Sequence, residues 1–218
     1  MDTVTPSNVV RDLGVLLDSE MTMRQHISKI VGVCFYHFRR LKKVQQILGS
    51  SVTSILVTAL AMSCLDYCNA LLVGLPQSTI APLQRVQNAT VCLVSGLWSR
   101  DHVTSSVCEL YWLPIRYQFI CKLCLMIHNA HVSRSSRYIS DTLSPIADMS
   151  NCARLHSSAS SKYELPALRL EIGERAFSYS GPAFWNRLPS ELTLSSIMDT
   201  HTFKLRLKTH LFRLAYDY

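Results

Sequence analysis

Two short stretches hold residue types able to do chemistry. In SCLDYCNALLVGLP, residues 63–76, Cys64 and Cys68 flank Asp66 inside an apolar segment. In CKLCLMIHNAH, residues 121–131, Cys121, Cys124, His128 and His131 follow one another at intervals of 3, 4 and 3. Thiolates and imidazoles are the ligands of structural zinc, and a CxxC pair is also the form of a redox couple. The intervals in 121–131 align all four side chains on one helix face. Ten residues of helix extend about 15 Å, whereas zinc ligands sit within roughly 2.0–2.3 Å of one ion. All four therefore cannot surround a single metal, and Cys124 with His128 can do so only with ligands from elsewhere. A redox thiol is activated at a helix N-terminus, and this pair sits mid-helix. The stripe reads as small apolar cysteines facing a core, with histidines toward its end, and no metal site is expected.

The same geometry divides the first stretch. On a helix Cys64 and Cys68 lie about 40° apart, while Asp66 projects about 200° from Cys64. Acid and thiols do not form one local site. Ser63, Asp66 and Asn69 form a polar stripe that a buried helix should satisfy from a neighbour, with Arg85 and Asn88 as the candidates. Catalytic signatures are missing elsewhere. No two acids are adjacent, and Asp18 and Glu20 are the closest pair. There is no GxSxG, no HExxH and no phosphate-cradling glycine loop.

The elements that must carry these residues are mostly helical, with a few short strands. RDLGVLLD, Arg11 to Asp18, reads as one short strand. A helix over 22–48 follows, with Ile27, Ile30, Val31, Cys34, Phe38, Leu41 and Leu48 at helical spacing and Gly49 as its stop. Ser50 or Ser51 can cap a second helix over 52–73 that is apolar nearly all round and so expected at the centre of the core. Asp66 and Asn69 argue against that helix crossing a membrane. A third helix, 79–95, tolerates Pro82 only in or near its first turn. Helices are expected over 115–131 and near 137–143. Residues 145–165 are Ser-rich and aperiodic, a linker or loop. PALRLEIG, 166–172 and beyond, reads as a strand, SGPAFWNRLP as a turn and helix, and 201–215 as a last basic helix.

The net charge of +7 points toward an acidic partner, nucleic acid first. The clearest basic pattern lies on the helix over 22–48. At 100° per residue, Lys29, Tyr36, Arg39, Arg40 and Lys43 fall opposite the apolar side, with Lys42 on the flank. Such a face can track a phosphate backbone by charge with little reading of sequence. The last helix sets Lys204, Arg206, Lys208 and Arg213 around a seam of Phe203, Leu207, Leu211 and Leu214, with Leu205 and Phe212 opposite. The opening MDTVTPSNVVRD has neither basic start nor apolar run, so an intracellular protein, of cytoplasm or nucleus, with reduced cysteines is expected.

Six segments occur in an order that carries a resemblance: VRDLGVLLDSEMTMRQHISKIV, SCLDYCNALLVGLP, PLQRVQNAT, LYWLPIRYQF, GERAFSYSGPAFWNRLPSELT and FKLRLKTHLFR. Together, from about Val9 to Phe212, they are similar to the C-terminal part of reverse transcriptases of non-LTR retrotransposons of the jockey and chicken-repeat-like kind. Pro82, and Cys and His at aliphatic or aromatic positions, depart from that pattern. The resemblance implies a mainly α fold, a helical thumb-like bundle with a few short strands, the end of the palm near 11–18 and a short strand near 166–172. It implies a last palm strand in 1–20, a thumb-like domain in 21–144, the Ser-rich segment 145–165 and a small C-terminal region in 166–218. The thumb grips the primer–template duplex, so Lys29, Tyr36, Arg39, Arg40, Lys42 and Lys43 become the candidate nucleic-acid contacts. The implied partners are an RNA or DNA duplex and the palm and fingers of the parent polymerase, with no membrane. The family's polymerase holds Mg2+ on paired aspartates that this sequence does not contain, so no cofactor and no catalytic residue is expected here, and no polymerisation by this chain alone. The competing expectations are a helical protein-interaction module and, behind it, a zinc protein.

Overall fold

The computed structural model describes residues 7–97, 102–146, 161–193 and 199–216. The chain is mainly helical with one small antiparallel sheet among the described residues. It divides into two compact units, Met1–Ile115 and Arg116–Tyr218. The division falls inside the stretch 21–144 expected as a helical domain.

The first unit opens with a hairpin, where one strand over 11–18 was expected. Strand β1, Val9–Asp12, pairs with β2, Val15–Asp18, placing Val9 opposite Asp18 and Asp12 opposite Val15. Leu13 and Gly14 between them have φ of 44° and 87°. Two positive φ angles in a two-residue loop make the kind of turn whose twist matches paired strands. The apolar run hides this turn, and Gly14 is its one sequence signal. Tyr67 then anchors the tip by donating its hydroxyl to the Leu13 carbonyl.

Asp18 joins the hairpin to the first helix, α1, Arg24–Asp66. Its Oδ1 accepts the Thr22 N–H at 2.7 Å, and its Oδ2 accepts the Met23 N–H at 2.9 Å and the Thr22 hydroxyl at 3.0 Å. Backbone donors at a helix start lack intrahelical partners, and this carboxylate supplies one. Burial pushes the Asp18 carboxyl up, but these bonds and one from the Glu20 backbone outweigh it and hold it below its ordinary value.

Inside α1, Gly49 alone is non-helical, with φ 76° and ψ 164°. The chain folds back there. Cys34 and Cys64, equidistant in sequence from Gly49, are hydrogen-bonded to each other, so the halves form an antiparallel helical hairpin. Gly49, the expected stop of the first helix, makes the turn, and the Thr53 hydroxyl returns to the Gly49 carbonyl at 2.8 Å. The second half is buried along one line only, Thr53, Val57, Ala61 and Leu65. This corrects the expectation of a helix central all round. Ile47 is 85% and Ile55 68% exposed near the elbow, and Leu48 is exposed too. The helical hairpin therefore reaches past the core, which takes Ile27, Cys34 and Phe38 from its first half.

Helix α1 stops at Asp66 rather than near residue 73. Tyr67 is extended, Cys68 is left-handed at φ 53°, and Asn69–Leu72 form a 3-10 turn. Helix α2, Gln77–Ser95, packs on α1. Pro82 is its sixth residue, beyond the first turn where a proline was expected, and cannot donate to Ser78. Helix α3, Thr104–Glu109, leads to the buried Leu113 and Ile115. A ladder of amides on α2 fixes that stretch. Gln87 donates to the Leu113 carbonyl at 2.8 Å, and Gln84 accepts the Ile115 N–H at 3.0 Å. Gln84 also donates to Gln87 and Asn88, each at 2.9 Å.

The second unit contains most of α4, Ile115–His131, then α5, Arg137–Ser140, α6, Phe177–Trp185, α7, Ser190–Thr193, and α8, Thr200–Tyr216. Its core gathers Trp185, Phe203, Leu207, Leu211 and Ile127. Gly181 permits the close approach of α6 to α4, since a Cβ there would lie 3.0 Å from Ile127 Cδ1. The ends of the Ser-rich segment meet: Pro145 bridges Tyr163, and the Ile146 N–H donates to the Lys162 carbonyl at 3.0 Å. Residues 147–160 of that segment lie outside the described residues. Asn186 pairs with both backbone groups of Tyr163, at 3.0 and 2.7 Å, and Trp185 Nε1 donates to the Ser161 carbonyl at 2.8 Å.

The expected strand at 166–172 is absent. Residues 166–170 are irregular and exposed, and Glu171–Arg175 is a 3-10 helix. Alternating apolar residues make a strand only where another strand pairs with them, and none of the described residues does so here. The seam of α8 is also shorter than expected. Phe203, Leu207 and Leu211 are buried, while Leu214 is 53% exposed. No helix among the described residues is long and apolar enough to cross a membrane.

Candidate nucleic-acid interface

The basic face forms because the first half of α1 buries Ile27, Cys34 and Phe38, which turns the intervening cations outward. Tyr36, Arg39, Arg40, Lys42 and Lys43 line one open cleft of about 460 Å³. All five are exposed. Arg40 donates to the Tyr36 hydroxyl at 2.7 Å, with its guanidinium carbon 5.5 Å from that ring's centroid. The tyrosine thus fixes one cation and leaves a planar donor set facing out. Among the described residues no carboxylate pairs with Arg39, Arg40, Lys42 or Lys43.

Lys29 is not part of this cleft. It lies seven residues earlier, about 10 Å along the axis, beside a separate hollow lined also by His26, Val33, Cys64 and Tyr67. The helical wheel groups Lys29 with the others by angle and is silent about axial distance.

A second cavity, of about 470 Å³, adjoins the cleft and shares Arg39 and Lys42 with it. Its walls come from α1 (Phe35, Phe38) and α2 (Arg85, Asn88, Ala89, Cys92, Leu93), with Leu97 and Val103 beyond. Arg85 and the phenylalanines were not among the expected site residues. The charge pattern carried a signal for Arg85. Between residues 21 and 97 the cations Arg24, Lys29, Arg39, Arg40, Lys42, Lys43 and Arg85 face a single acid, Asp66. The register of α2 on α1 is what brings Arg85 to Arg39, and spacing within one helix does not contain it.

The two stretches richest in reactive residue types are packed. Cys34 is buried beside Cys64, and burial first, then the neighbouring thiol, pushes its pKa up to about 12. Cys68 instead hydrogen-bonds the side chain of Tyr67. Asn69 donates to Asp66 Oδ1 at 3.0 Å, and Ser63 to the Leu60 carbonyl at 3.1 Å. Arg85 and Asn88, expected to satisfy this polar stripe, are committed elsewhere: Arg85 to the cavity wall, Asn88 to Gln84. In α4, burial pushes the Cys124 thiol up. His128 is buried and stacks on Phe203, and His131 lies 3.2 Å from the Tyr163 hydroxyl. Among the described residues no three His, Cys, Asp or Glu side chains group so as to hold a metal ion. No step of metal-assisted nucleotidyl transfer can be derived from this donor set.

The exposed cations along α1 give the arrangement the means to bind anions. No protein-family model, no curated protein and no solved structure matches this chain.

Proposed function

We propose that this chain is a nucleic-acid-holding C-terminal part of an RNA-directed DNA polymerase of the non-LTR retrotransposon class, without polymerase activity of its own. The reading rests on the six ordered segments that resemble that family. One structural observation supports it most: an exposed cleft on α1 lined by Tyr36, Arg39, Arg40, Lys42 and Lys43, in a segment with almost no acid. Cations spaced along one helix neutralise successive phosphates without reading base edges. The test is duplex binding by the purified chain over a range of salt. Replacing Arg39, Arg40 and Lys43 together by Ala should weaken binding equally for unrelated sequences. It should also flatten the log–log salt slope by about 0.9 for each phosphate no longer neutralised. Affinity indifferent to salt and to those changes would refute the reading.

The exposed Ile47 and Ile55 beside the Gly49 elbow favour a second reading, a helical module that docks another protein through this apolar tip. Ile47→Asp with Ile55→Asp would then abolish association seen by sizing while leaving nucleic-acid affinity intact.

A further inference from the structure

The cavity between α1 and α2 has a chemistry different from the cleft it adjoins. Its floor is apolar and aromatic, from Phe35, Phe38 and Leu93, and its rim carries Arg39, Lys42 and Arg85. No acid lines it. Its volume, about 470 Å³, lies within the range of roughly 300–1,000 Å³ typical of sites for small ligands. Asn88 faces it with an amide whose Oδ1 accepts from Gln84, and whose Nδ2 has no acceptor among the described residues.

A flat ring with an attached anion satisfies all of these features at once. The ring removes apolar wall from water, the anion sits between the rim cations, and the amide N–H meets a ring acceptor. Arg39 and Lys42 belong to both hollows, so a phosphate chain lying along α1 passes the cavity mouth. A duplex keeps its bases stacked inside and cannot fill the cavity, whereas an unpaired strand can turn one base into it. We propose that this cavity takes one unstacked nucleotide of a strand held on the α1 cleft, with its base against Phe35 and Leu93 and its phosphate between Arg39, Lys42 and Arg85. The chain would then hold junctions between duplex and single strand better than duplex alone. This inference rests on the reading of α1 as a nucleic-acid interface.

The experiment measures the anisotropy of three labelled DNAs with the full chain at one salt concentration. They are a blunt duplex, the same duplex with a three-nucleotide overhang, and that overhang made abasic with its phosphates kept. Stacking of one base on protein aromatics strengthens binding, so the base-bearing overhang should bind about tenfold tighter than the abasic one. Ala89→Trp, which fills the cavity from α2, should bring that ratio to one. Equal affinity of the unsubstituted chain for the two overhangs would overturn the inference, and it needs no variant. Blunt duplex bound without preference for the base-bearing overhang would remove the cavity proposal and leave the α1 interface standing. No binding of any probe would remove both.

Discussion

His128 lies flat against Phe203, with 4.0 Å between ring centroids and 6° between planes. The stack is buried, and the imidazole Nε2 has no hydrogen-bond partner there. Burial pulls the His128 pKa down, helped by His131 and Arg134 and opposed by Asp199. The ring is thus neutral in the folded chain and takes a proton more easily once unfolded. Folding stability from this group is whole above the unfolded value of about 6.5 and falls as pH drops below it. Urea midpoints measured between pH 8 and 5 should decline below 6.5, and His128→Phe should shallow that decline. A variant declining as steeply as the parent would place the acid sensitivity elsewhere, with His26 and His210, whose pKa values burial also lowers.

Asp18 works at the opposite end of the pH scale. Its carboxyl is held low by the Thr22 and Met23 donors, so its contribution is present above about 3.9 and lost as pH falls through the lower folded value. Asp18→Ala should cost about 1 kcal/mol at neutral pH, as loss of a helix-start acceptor does. Chemical denaturation at pH 7 measures that cost, and the gap between parent and variant midpoints should narrow as pH falls below about 3.9.

Gln87 is fully buried and bridges α2 to the Leu113 carbonyl. Gln87→Leu keeps the shape and strips the bonds to that carbonyl and to a Gln84 N–H. A loss of about 1–3 kcal/mol is expected. Because the damage is local, the amide of Ile115, held by Gln84, should exchange faster with solvent.

Gly181 separates α6 from Ile127 by the width of a methyl group. Gly181→Ala forces its Cβ to 3.0 Å from Ile127 Cδ1 and 3.2 Å from the Phe177 ring. Overpacking of this kind costs about 1–3 kcal/mol. Ile127→Val removes the methyl it meets, so the double variant should be more stable than the sum of the single losses predicts. Additive losses in the melting curves would show that Ile127 is not what α6 presses on.

The sequence carried α4 well, because Ile115 to His131 repeats at one period and Pro114 marks its start. It carried the basic face of α1 for the same reason. The hairpin was hidden because Val, Leu and Asp on both sides of Leu13–Gly14 read as one apolar run. The alternation at 166–172 misled in the other direction, since strand propensity without a partner strand specifies nothing. Arg85 joined the site through the packing of two helices, a relation between segments that no spacing within either encodes. The glutamines of PLQRVQNAT had no assigned task in the sequence, and the structure gives them one, closing the backbone bonds of Leu113 and Ile115.

The elbow at Gly49 bears on how the first unit folds. Its two arms meet across one residue, so almost no chain entropy is lost in closing them, unlike the distant pairing of Tyr67 with Leu13. Short-range contacts form early, and contacts far apart in sequence wait for them. The arms of α1 should then zip from the elbow outward, and the β-hairpin should dock last, onto a scaffold already standing. Pulse-labelled hydrogen exchange would see this as protection of Val57 and Ala61 preceding that of Leu16, and the reverse order would mean that the hairpin nucleates the unit.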